Sequence, residues 1–299
     1  MKKNPIHCLL LCRCLALTAA LSLYCSPEKE GMPSLPAAAR IVSLSPSISR
    51  QLDDLGRREL LAGVTSYDDF RRSGIEIVGT LVQPNLEAII RLRPDIVLLS
   101  SEDGPVQNID RLKEAGVRVY RFGRNGNFRD ICDNYQRLAA MVGREPEARM
   151  KIARYAEMLD RAVTRRRYGP RGKSAVAFFL SHRPLIAASE GSFIAQIIRD
   201  AGGVCVYSGT RGVYPPVSLE SLVEYDPDVI IYMAGDNQGS DFFMRLSRDF
   251  RSLRVVKKRN FYIIDPDTIP YYTPADYVKS VETVSRILEK ATYTAPPTP

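Results

Sequence analysis

The chain contains the same short segment twice, and this repeat constrains the fold more than any other feature of the sequence. Residues 85–99 and 218–232 both consist of a polar residue, Leu-Glu, further apolar residues, Pro-Asp and an aliphatic run. The shared residues recur at identical offsets, so that Glu87 corresponds to Glu220. The two copies lie much farther apart than the roughly 20–50-residue repeats of solenoid proteins. The repeat therefore predicts two lobes of similar construction.

Each copy predicts a helix, a turn and a buried strand, in that order. Asn85 and Ser218 favour the N-cap position, because their side chains can accept hydrogen bonds from backbone N–H groups at the start of a helix. A glutamate in the first turn is favoured by the helix dipole. Pro94 and Pro227 prevent the helix from continuing. The unbroken aliphatic runs that follow are typical of strands buried on both faces of a parallel sheet.

The N-terminus has the features of a secretory signal that ends at a cysteine. A short basic segment precedes an apolar stretch that ends at Cys25, and a polar, Pro-rich segment follows. The apolar stretch is too short and too interrupted for a good transmembrane span. It resembles a bacterial lipoprotein signal in which Cys25 receives the lipid. We expect a signal peptide at 1–24 and a tether at 25–39, with an ordinary signal peptide or an uncleaved anchor as the alternative.

Composition places the rest of the chain among ordinary globular proteins. The 299 residues, 45% hydrophobic and 25% charged, allow two domains with substantial cores. The formal net charge of +8 comes from scattered basic residues, so nucleic-acid binding is not indicated. Of six cysteines, Cys132 and Cys205 are the two that follow Cys25, and a disulfide framework is not supported.

Alternating apolar runs and amphipathic segments predict an α/β fold with two Rossmann-like βα lobes and mainly parallel sheets. We expect a first lobe at 40–128, linker helices at 129–170, a second lobe at 171–290 and a disordered tail at 291–299. The predicted strands are 41–44, 76–78, 96–99 and 117–120 in the first lobe, and 175–180, 204–207, 229–232 and 261–264 in the second.

Enzyme motifs are absent from the sequence. There is no Walker loop, no GxGxxG after a strand, no GxSxG and no HExxH. After removal of the signal, His182 would be the single histidine, so a zinc or manganese site with several histidines cannot be built. His182 follows a predicted strand, where a ligand-facing position and a plain surface loop are both possible.

Polar and aromatic residues just after predicted strands are the best candidates for ligand binding, because ligands of open α/β sheets bind beyond the carboxyl ends of the strands. Tyrosine, which can stack on a flat ligand or ligate ferric iron, occurs 15 times, and tryptophan is absent. Arginine offers a planar fork of donors to ligand carboxylates. The candidates are Ser45, Tyr67, Leu81, Gln83 and Arg124 in the first lobe, and Arg183, Arg211, Tyr214, Asp267 and Tyr271 in the second.

Short motifs in a fixed order identify a family resemblance. They lie at 40–46, 63–67, 78–80, 85–87, 93–95, 191–193, 201–203 and 217–220. As a set they resemble the helical-backbone substrate-binding proteins of ABC importers for vitamin B12, ferric siderophores and haem. The resemblance covers about Arg40 to Lys290.

The resemblance implies a fold and two kinds of functional residue. In that family one long, rigid backbone helix joins the two lobes, and the ligand lies in the cleft between them. One glutamate on each lobe docks onto arginines of the membrane permease, and the matching residues here are Glu87 and Glu220. Tyr67 and Tyr214 fall at aromatic positions of the vitamin B12 pocket, whereas Leu81 replaces a tryptophan.

These observations predict a lipid-anchored, extracytoplasmic solute receptor of an ABC importer, monomeric, without a cofactor and without enzymatic activity. The preferred ligand is a ferric chelate or a haem-like macrocycle, and cobalamin is the alternative. Two other classes remain open: an enzyme on the same two-lobed scaffold, and a structural lipoprotein without a ligand.

Overall fold

The computed structural model describes residues 33–167, 173–234, 238–266, 269 and 273–293. The predicted signal peptide lies outside the described residues, as do most of the tether, the end of the linker and residues 294–299 of the predicted tail. Residues 291–293, which the tail prediction included, form the end of the last helix, and Ala291 is buried. No helix within the described ranges is both long and apolar enough to cross a bilayer.

The first lobe contains a five-stranded sheet in which every pair of neighbours is parallel, with the order β3-β2-β1-β4-β5. The interior strand β4, which lies between β1 and β5, is buried at all five positions, as its unbroken aliphatic run predicts. The elements are β1 (Ile41–Ser43), α1 (Pro46–Asp54), β2 (Leu61–Val64), β3 (Glu76–Ile77), α2 (Leu86–Arg91), β4 (Ile96–Ser100), α3 (Ile109–Glu114) and β5 (Val119–Phe122).

Strand β2 is absent from the sequence prediction, which places no strand between residues 44 and 76. Gly63 lies inside the strand because two side chains pack directly over it. A Cβ atom at this position would lie 2.8 Å from Cδ1 of Leu92 and 2.9 Å from Cγ1 of Val78. A glycine that normally indicates a break is therefore required here for close packing between the strand and its neighbours.

The second lobe contains strands β6 to β10, and β10, β9 and β6 are parallel neighbours. The outer edge of β6 pairs with β8 in parallel near its start and with β7 in antiparallel near its end. The elements are β6 (Ser174–His182), β7 (Leu185–Ala187), α6 (Phe193–Asp200), β8 (Gly203–Cys205), α7 (Leu219–Tyr225), β9 (Val229–Met233), α8 (Gln238–Asp249), α9 (Arg254–Lys257), β10 (Phe261–Ile264) and α10 (Pro274–Tyr293). The mainly parallel sheets in two lobes confirm the predicted fold class. In the second lobe, the strand that the sequence did not predict is β7, which has three residues and forms a hairpin with β6.

Both copies of the repeat form the predicted helix, turn and strand. Asn85 Oδ1 accepts the Ala88 N–H at 3.0 Å, and Ser218 Oγ accepts the Ser221 N–H at 3.3 Å. These bonds cap α2 and α7 in the same way. The turn is repeated too, because the residue before each proline, Arg93 and Asp226, adopts a positive φ of 46° and 34°.

The aspartate after each proline anchors the repeated strand to its neighbour. Asp95 accepts the Arg40 N–H at 2.7 Å and donates its own N–H to the Arg40 carbonyl at 2.8 Å. Asp228 forms the same pair of bonds with Ala175, at 3.0 and 2.8 Å. Each Pro-Asp turn therefore fixes the start of β4 against β1, or of β9 against β6.

Two linker helices, α4 (Phe128–Met141) and α5 (Glu145–Arg167), contribute to both cores. Ala148 of α5 belongs to the apolar core of the first lobe, and Ala162 belongs to that of the second. Helix α4 contributes Tyr135 to the first core and Ile131 to the second. With 23 residues, α5 is about 35 Å long. The predicted long backbone helix is present, and α4 supports it along the boundary between the lobes.

Asp54, at the end of α1, binds both linker helices. Its Oδ1 accepts a hydrogen bond from Lys151 Nζ of α5 at 2.8 Å, and its Oδ2 accepts one from the Tyr135 hydroxyl of α4. Farther along, Arg50 Nη1 lies 3.9 Å from Asp276 Oδ2 at the start of α10. One face of α1 therefore connects the first lobe to the linker and to the second lobe.

Candidate ligand site and family

Four loops of the first lobe meet at one edge of the sheet because the strands are parallel. Ser45 follows β1, Tyr67 follows β2, Asp103 follows β4 and Arg124 follows β5. This is the edge at which open α/β sheets bind ligands. The sequence prediction therefore identified side chains from three of these loops.

Tyr67 extends into solvent from a turn that is held rigidly beneath it. Its side chain is 59% exposed, more than that of any other Phe or Tyr in the part of the chain that the structure describes. The next residue, Asp68, is fully buried and accepts the Phe70 N–H at 3.0 Å, which caps a short 3-10 helix. Burial raises the pKa of Asp68. The tyrosine ring is thus presented to solvent by a buried anchor.

Ser45 lies in the interior, below the surface of this edge. It is fully buried, and its hydroxyl lies 2.9 Å from the Ser47 hydroxyl. It also forms a hydrogen bond with the carboxyl group of Asp103, whose pKa burial raises to about 6. Within the described residues, Oδ2 of Asp103 has no hydrogen-bond partner. Ser45 therefore contacts a buried carboxyl group in the loop that follows β4.

Arg124 and Gln83 are exposed at this edge, and Leu81 is half-buried. Arg124 Nε lies 3.6 Å from Glu102 Oε1, which also accepts the Asn125 N–H at 2.7 Å. Glu102 therefore holds the loop after β5 in place while the guanidinium extends outward.

The second lobe contributes a histidine that is fixed within the protein. His182 Nδ1 lies 2.8 Å from the Tyr232 hydroxyl, and its ring packs against Phe242 with the centroids 6.1 Å apart. His182 is half-buried at the end of β6, so it is not a plain surface-loop residue. Its Nδ1 is engaged by the Tyr232 hydroxyl and does not face a ligand freely. The adjacent Arg183 is exposed.

Arg211 and Tyr214 belong to a segment that pairs with the outer edge of β7. The Val217 N–H donates to the Leu185 carbonyl at 2.9 Å, and the Ala187 N–H donates to the Pro215 carbonyl at 3.1 Å. Arg183 precedes the start of β7, whereas Tyr214 lies beyond the opposite end of the pairing, so the length of β7 separates the two residues. The side chain of Tyr214 is 37% exposed. Three predicted residues, Cys25, Asp267 and Tyr271, lie outside the described residues.

The two repeat glutamates occupy equivalent exposed positions. Glu87 and Glu220 each lie in the first turn of their helix, α2 or α7. A hydrogen bond from its own backbone N–H, assisted by the Ser218 hydroxyl, lowers the pKa of Glu220. The helices thus present a carboxylate on each lobe.

No group of three or more His, Cys, Asp or Glu side chains that could hold a metal ion occurs among the described residues. Cys132 and Cys205 are both buried and unpaired. The Cys205 thiol donates to the Ala188 carbonyl at 3.1 Å, and burial raises the pKa of Cys132 to about 12. Neither thiol has the lowered pKa of a reactive cysteine.

A family model described as periplasmic binding protein matches residues 41–268, which is most of the chain. The chain belongs to this family. A vitamin B12-binding protein of Vibrio parahaemolyticus is 27% identical over 194 residues, which are 64% of this chain and 69% of that protein. The vitamin B12-binding protein of Vibrio vulnificus is 25% identical over 238 residues, 79% of this chain and 85% of that protein.

Solved structures show the same fold. The periplasmic vitamin B12 binding protein BtuF of Vibrio cholerae superimposes with a TM-score of 0.74 at 22% identity, covering 86% of this chain and 99% of that one. The periplasmic haem-binding protein BhuT, in complex with two haems, also gives 0.74 at 22% identity, covering 85% and 98%. The helical-backbone class inferred from the sequence motifs is confirmed by these structures, and the family match makes this chain a periplasmic substrate-binding protein.

Proposed function

We propose that this periplasmic binding protein captures a metal-containing macrocycle of the corrinoid or haem type and delivers it to a membrane permease. The observation that carries the proposal is the exposed ring of Tyr67 at the carboxyl edge of the first sheet. An aromatic ring on a rigid turn offers a flat apolar surface at little cost in conformational entropy, which suits stacking on a flat ligand. The relatives named above bind vitamin B12 or haem.

Cobalamin is the first ligand to test, because the two sequence relatives named above are vitamin B12-binding proteins. Haem is the second, and the exposed arginines favour it. Arg124 and Arg183 can each offer a planar fork of N–H donors to a propionate carboxylate. The sequence analysis preferred a ferric chelate or a haem-like macrocycle and kept cobalamin as the alternative, and the sequence relatives are the reason that cobalamin is tested first.

Titration of the purified protein, starting after Cys25, with cyanocobalamin, haemin and a ferric siderophore tests the proposal. We expect cyanocobalamin or haemin to bind one-to-one with a Kd below about 1 μM, as measured by calorimetry and visible absorbance. The proposal is wrong if neither binds below about 10 μM, or if free zinc or manganese binds tightly instead.

Docking onto the permease is the second part of the proposal, and Glu87 and Glu220 are the residues proposed for it. Because they lie at the rim, their charges govern association rather than ligand binding. Reversing both charges (Glu87→Lys with Glu220→Lys) should abolish uptake in cells and leave ligand affinity within about tenfold of wild type. Loss of ligand binding in the purified double variant would contradict this assignment.

Lipidation of Cys25 is the third part, and it would hold the receptor at the outer surface of the membrane. Metabolic labelling with palmitate should label the wild-type protein, and Cys25→Ser should move it from the membrane fraction to the soluble extracytoplasmic fraction. A membrane-bound, unlabelled protein would instead support an uncleaved anchor.

A further inference from the structure

We infer that Ile90 and Val223 form an apolar contact with the permease, one on each lobe and each beside a docking glutamate. The inference rests on the proposed docking role of Glu87 and Glu220. It adds a hydrophobic component to an interface that charge alone would otherwise define.

The two repeat helices are set into their lobes in the same rotation. Ile89 of α2 and Leu222 of α7 occupy equivalent positions in the repeat, and both are completely buried. The next residue of each helix must then face outward. Ile90 is 43% exposed and Val223 is 50% exposed, so both rank among the most exposed aliphatic side chains of the described residues.

Each exposed aliphatic residue is a neighbour of its glutamate on the helix surface. Glu87 and Ile90 are three residues apart, as are Glu220 and Val223, and residues at this spacing lie on the same face. The lobes therefore present the same pair of side chains, a carboxylate and an aliphatic group.

A single exposed aliphatic side chain is ordinary on a protein surface. In this protein, however, the exposed position is aliphatic in both copies of the repeat, whereas the next exposed position along the helix carries different residues. That position is Arg91 in the first copy and Glu224 in the second, which carry opposite charges. Only the pair of carboxylate and aliphatic group is common to the exposed faces of the two helices.

The occupant that fits is a partner with two similar halves, each offering a cation beside an apolar surface. In the first copy Arg91 forms an ion pair with Glu76 instead, so Glu87 remains available for a partner. An apolar rim excludes water from a charged contact and strengthens it. We assign this partner to the membrane permease.

The test compares permease binding with ligand binding in matched variants. Ile90→Gln with Val223→Gln replaces each aliphatic side chain by an unbranched polar one that favours the helix, and so removes the apolar surface. The control, Val204→Gln with Ile263→Gln, changes aliphatic residues of similar exposure, 47% and 43%, outside the repeat helices. The exchange Ile90→Val with Val223→Ile preserves apolar character. Each purified variant is assayed against the cognate permease in nanodiscs, and against cyanocobalamin and haemin.

We expect the Gln pair to weaken permease binding by about tenfold, while the control and the exchange remain within about twofold of wild type. Ligand affinity should be unchanged in all three. Wild-type permease affinity in the Gln pair would overturn the inference. If the Gln pair fails to fold, Ile90→Ala with Val223→Ala replaces it, since alanine favours the helix, and the same outcomes apply.

The Glu87→Lys, Glu220→Lys double variant separates the two proposals. If it binds the permease normally, the docking assignment itself is wrong. If it loses binding while the Gln pair keeps it, only the apolar contact is wrong.

Discussion

Tyr67 combines high exposure with a fixed backbone, and this makes it the most informative single residue of the proposed site. Tyr67→Ala should weaken binding of the ligand identified by titration about tenfold to a hundredfold, because the stacking surface is lost. Tyr67→Phe should stay within about threefold of wild type, because it keeps the ring. Calorimetry measures the ligand affinity of both variants. Unchanged affinity in Tyr67→Ala would remove the stacking role, and strong loss in Tyr67→Phe would indicate that the hydroxyl ligates the metal.

Tyr214 is the corresponding test on the second lobe. Its side chain is 37% exposed, and Tyr214→Ala should also cost about tenfold or more in affinity if both lobes contact the ligand. Equal affinity of Tyr214→Ala and wild type in the same titration would place the ligand on the first lobe alone.

Asp103 should make stability depend on pH in a defined direction. Burial raises its pKa to about 6 in the folded protein, whereas an aspartate in an unfolded chain has a pKa of about 3.9. Between these values the folded state holds a proton that the unfolded state has released. The free energy of unfolding therefore falls as pH rises through this window. The stabilising contribution is complete below about pH 4 and is lost above about pH 6.

Urea denaturation of the wild type and of Asp103→Asn measures this contribution. The unfolding free energy of the wild type relative to the variant should fall by about 2 kcal/mol between about pH 4.5 and about pH 7.5. Asp110→Asn, at an exposed carboxylate, serves as the control and should run parallel to wild type. Parallel profiles for Asp103→Asn and wild type would contradict the buried, protonated state.

Among the elements, helix α1 depends on Asp54 for its attachment to both linker helices. Asp54→Ala removes the carboxylate that accepts from the Lys151 ammonium, although Lys151 keeps its hydrogen bond to the Asp54 backbone carbonyl. The variant also leaves the hydroxyl of the fully buried Tyr135 without its carboxylate partner. Loss of hydrogen bonds to a charged group should lower the free energy of unfolding by about 2–3 kcal/mol. Asp110→Ala, which removes an exposed pair with Lys113, should change it by less than about 0.5 kcal/mol. Urea denaturation at neutral pH measures the free energy of unfolding of both variants. A similar decrease in Asp54→Ala and Asp110→Ala would disprove the anchoring role of Asp54.

At this scale the sequence predicted the repeated units well, because their caps, prolines and aliphatic runs act locally. It missed β2, whose Gly63 is required by tertiary packing against Leu92 and Val78. It also missed β7, whose antiparallel pairing with β6 departs from the parallel βα pattern that the sequence predicted. The role of α4 in both cores was likewise not predictable, because an amphipathic pattern shows which face is buried but not which lobe buries it.

For the whole molecule, the sequence motifs predicted the architecture more completely than the site. Ser45 and Arg124 were selected because they follow predicted strands, whereas the strand before Tyr67, β2, was not itself predicted. Parallel pairing does bring the three loops to one edge. Burial separates them: Ser45 is interior and Tyr67 is exposed. Tyr214 and Arg183 are separated by β7, which was not predicted. Missing this strand therefore also meant that the separation of two predicted site residues was missed.

Two helices that belong to both cores should restrict motion between the lobes. Ala148 and Ala162 of α5 are buried in different lobes, and Phe128 of α4 packs against Tyr277 of α10 with the ring centroids 5.4 Å apart. Small-angle scattering with and without the ligand should therefore show a change in radius of gyration of less than about 1 Å. A markedly larger decrease would require a hinge that α5 does not provide.

The central claim is that the protein carries a metal-containing macrocycle, and native mass spectrometry of protein purified from its own cells tests it most directly. Visible absorbance of the same sample reports on the chromophore. We predict a one-to-one complex with the mass of a corrinoid or a haem, together with its visible absorption bands. A bound sugar, peptide or bare metal ion, or colourless protein from cells supplied with cobalamin and haem, would contradict the claim.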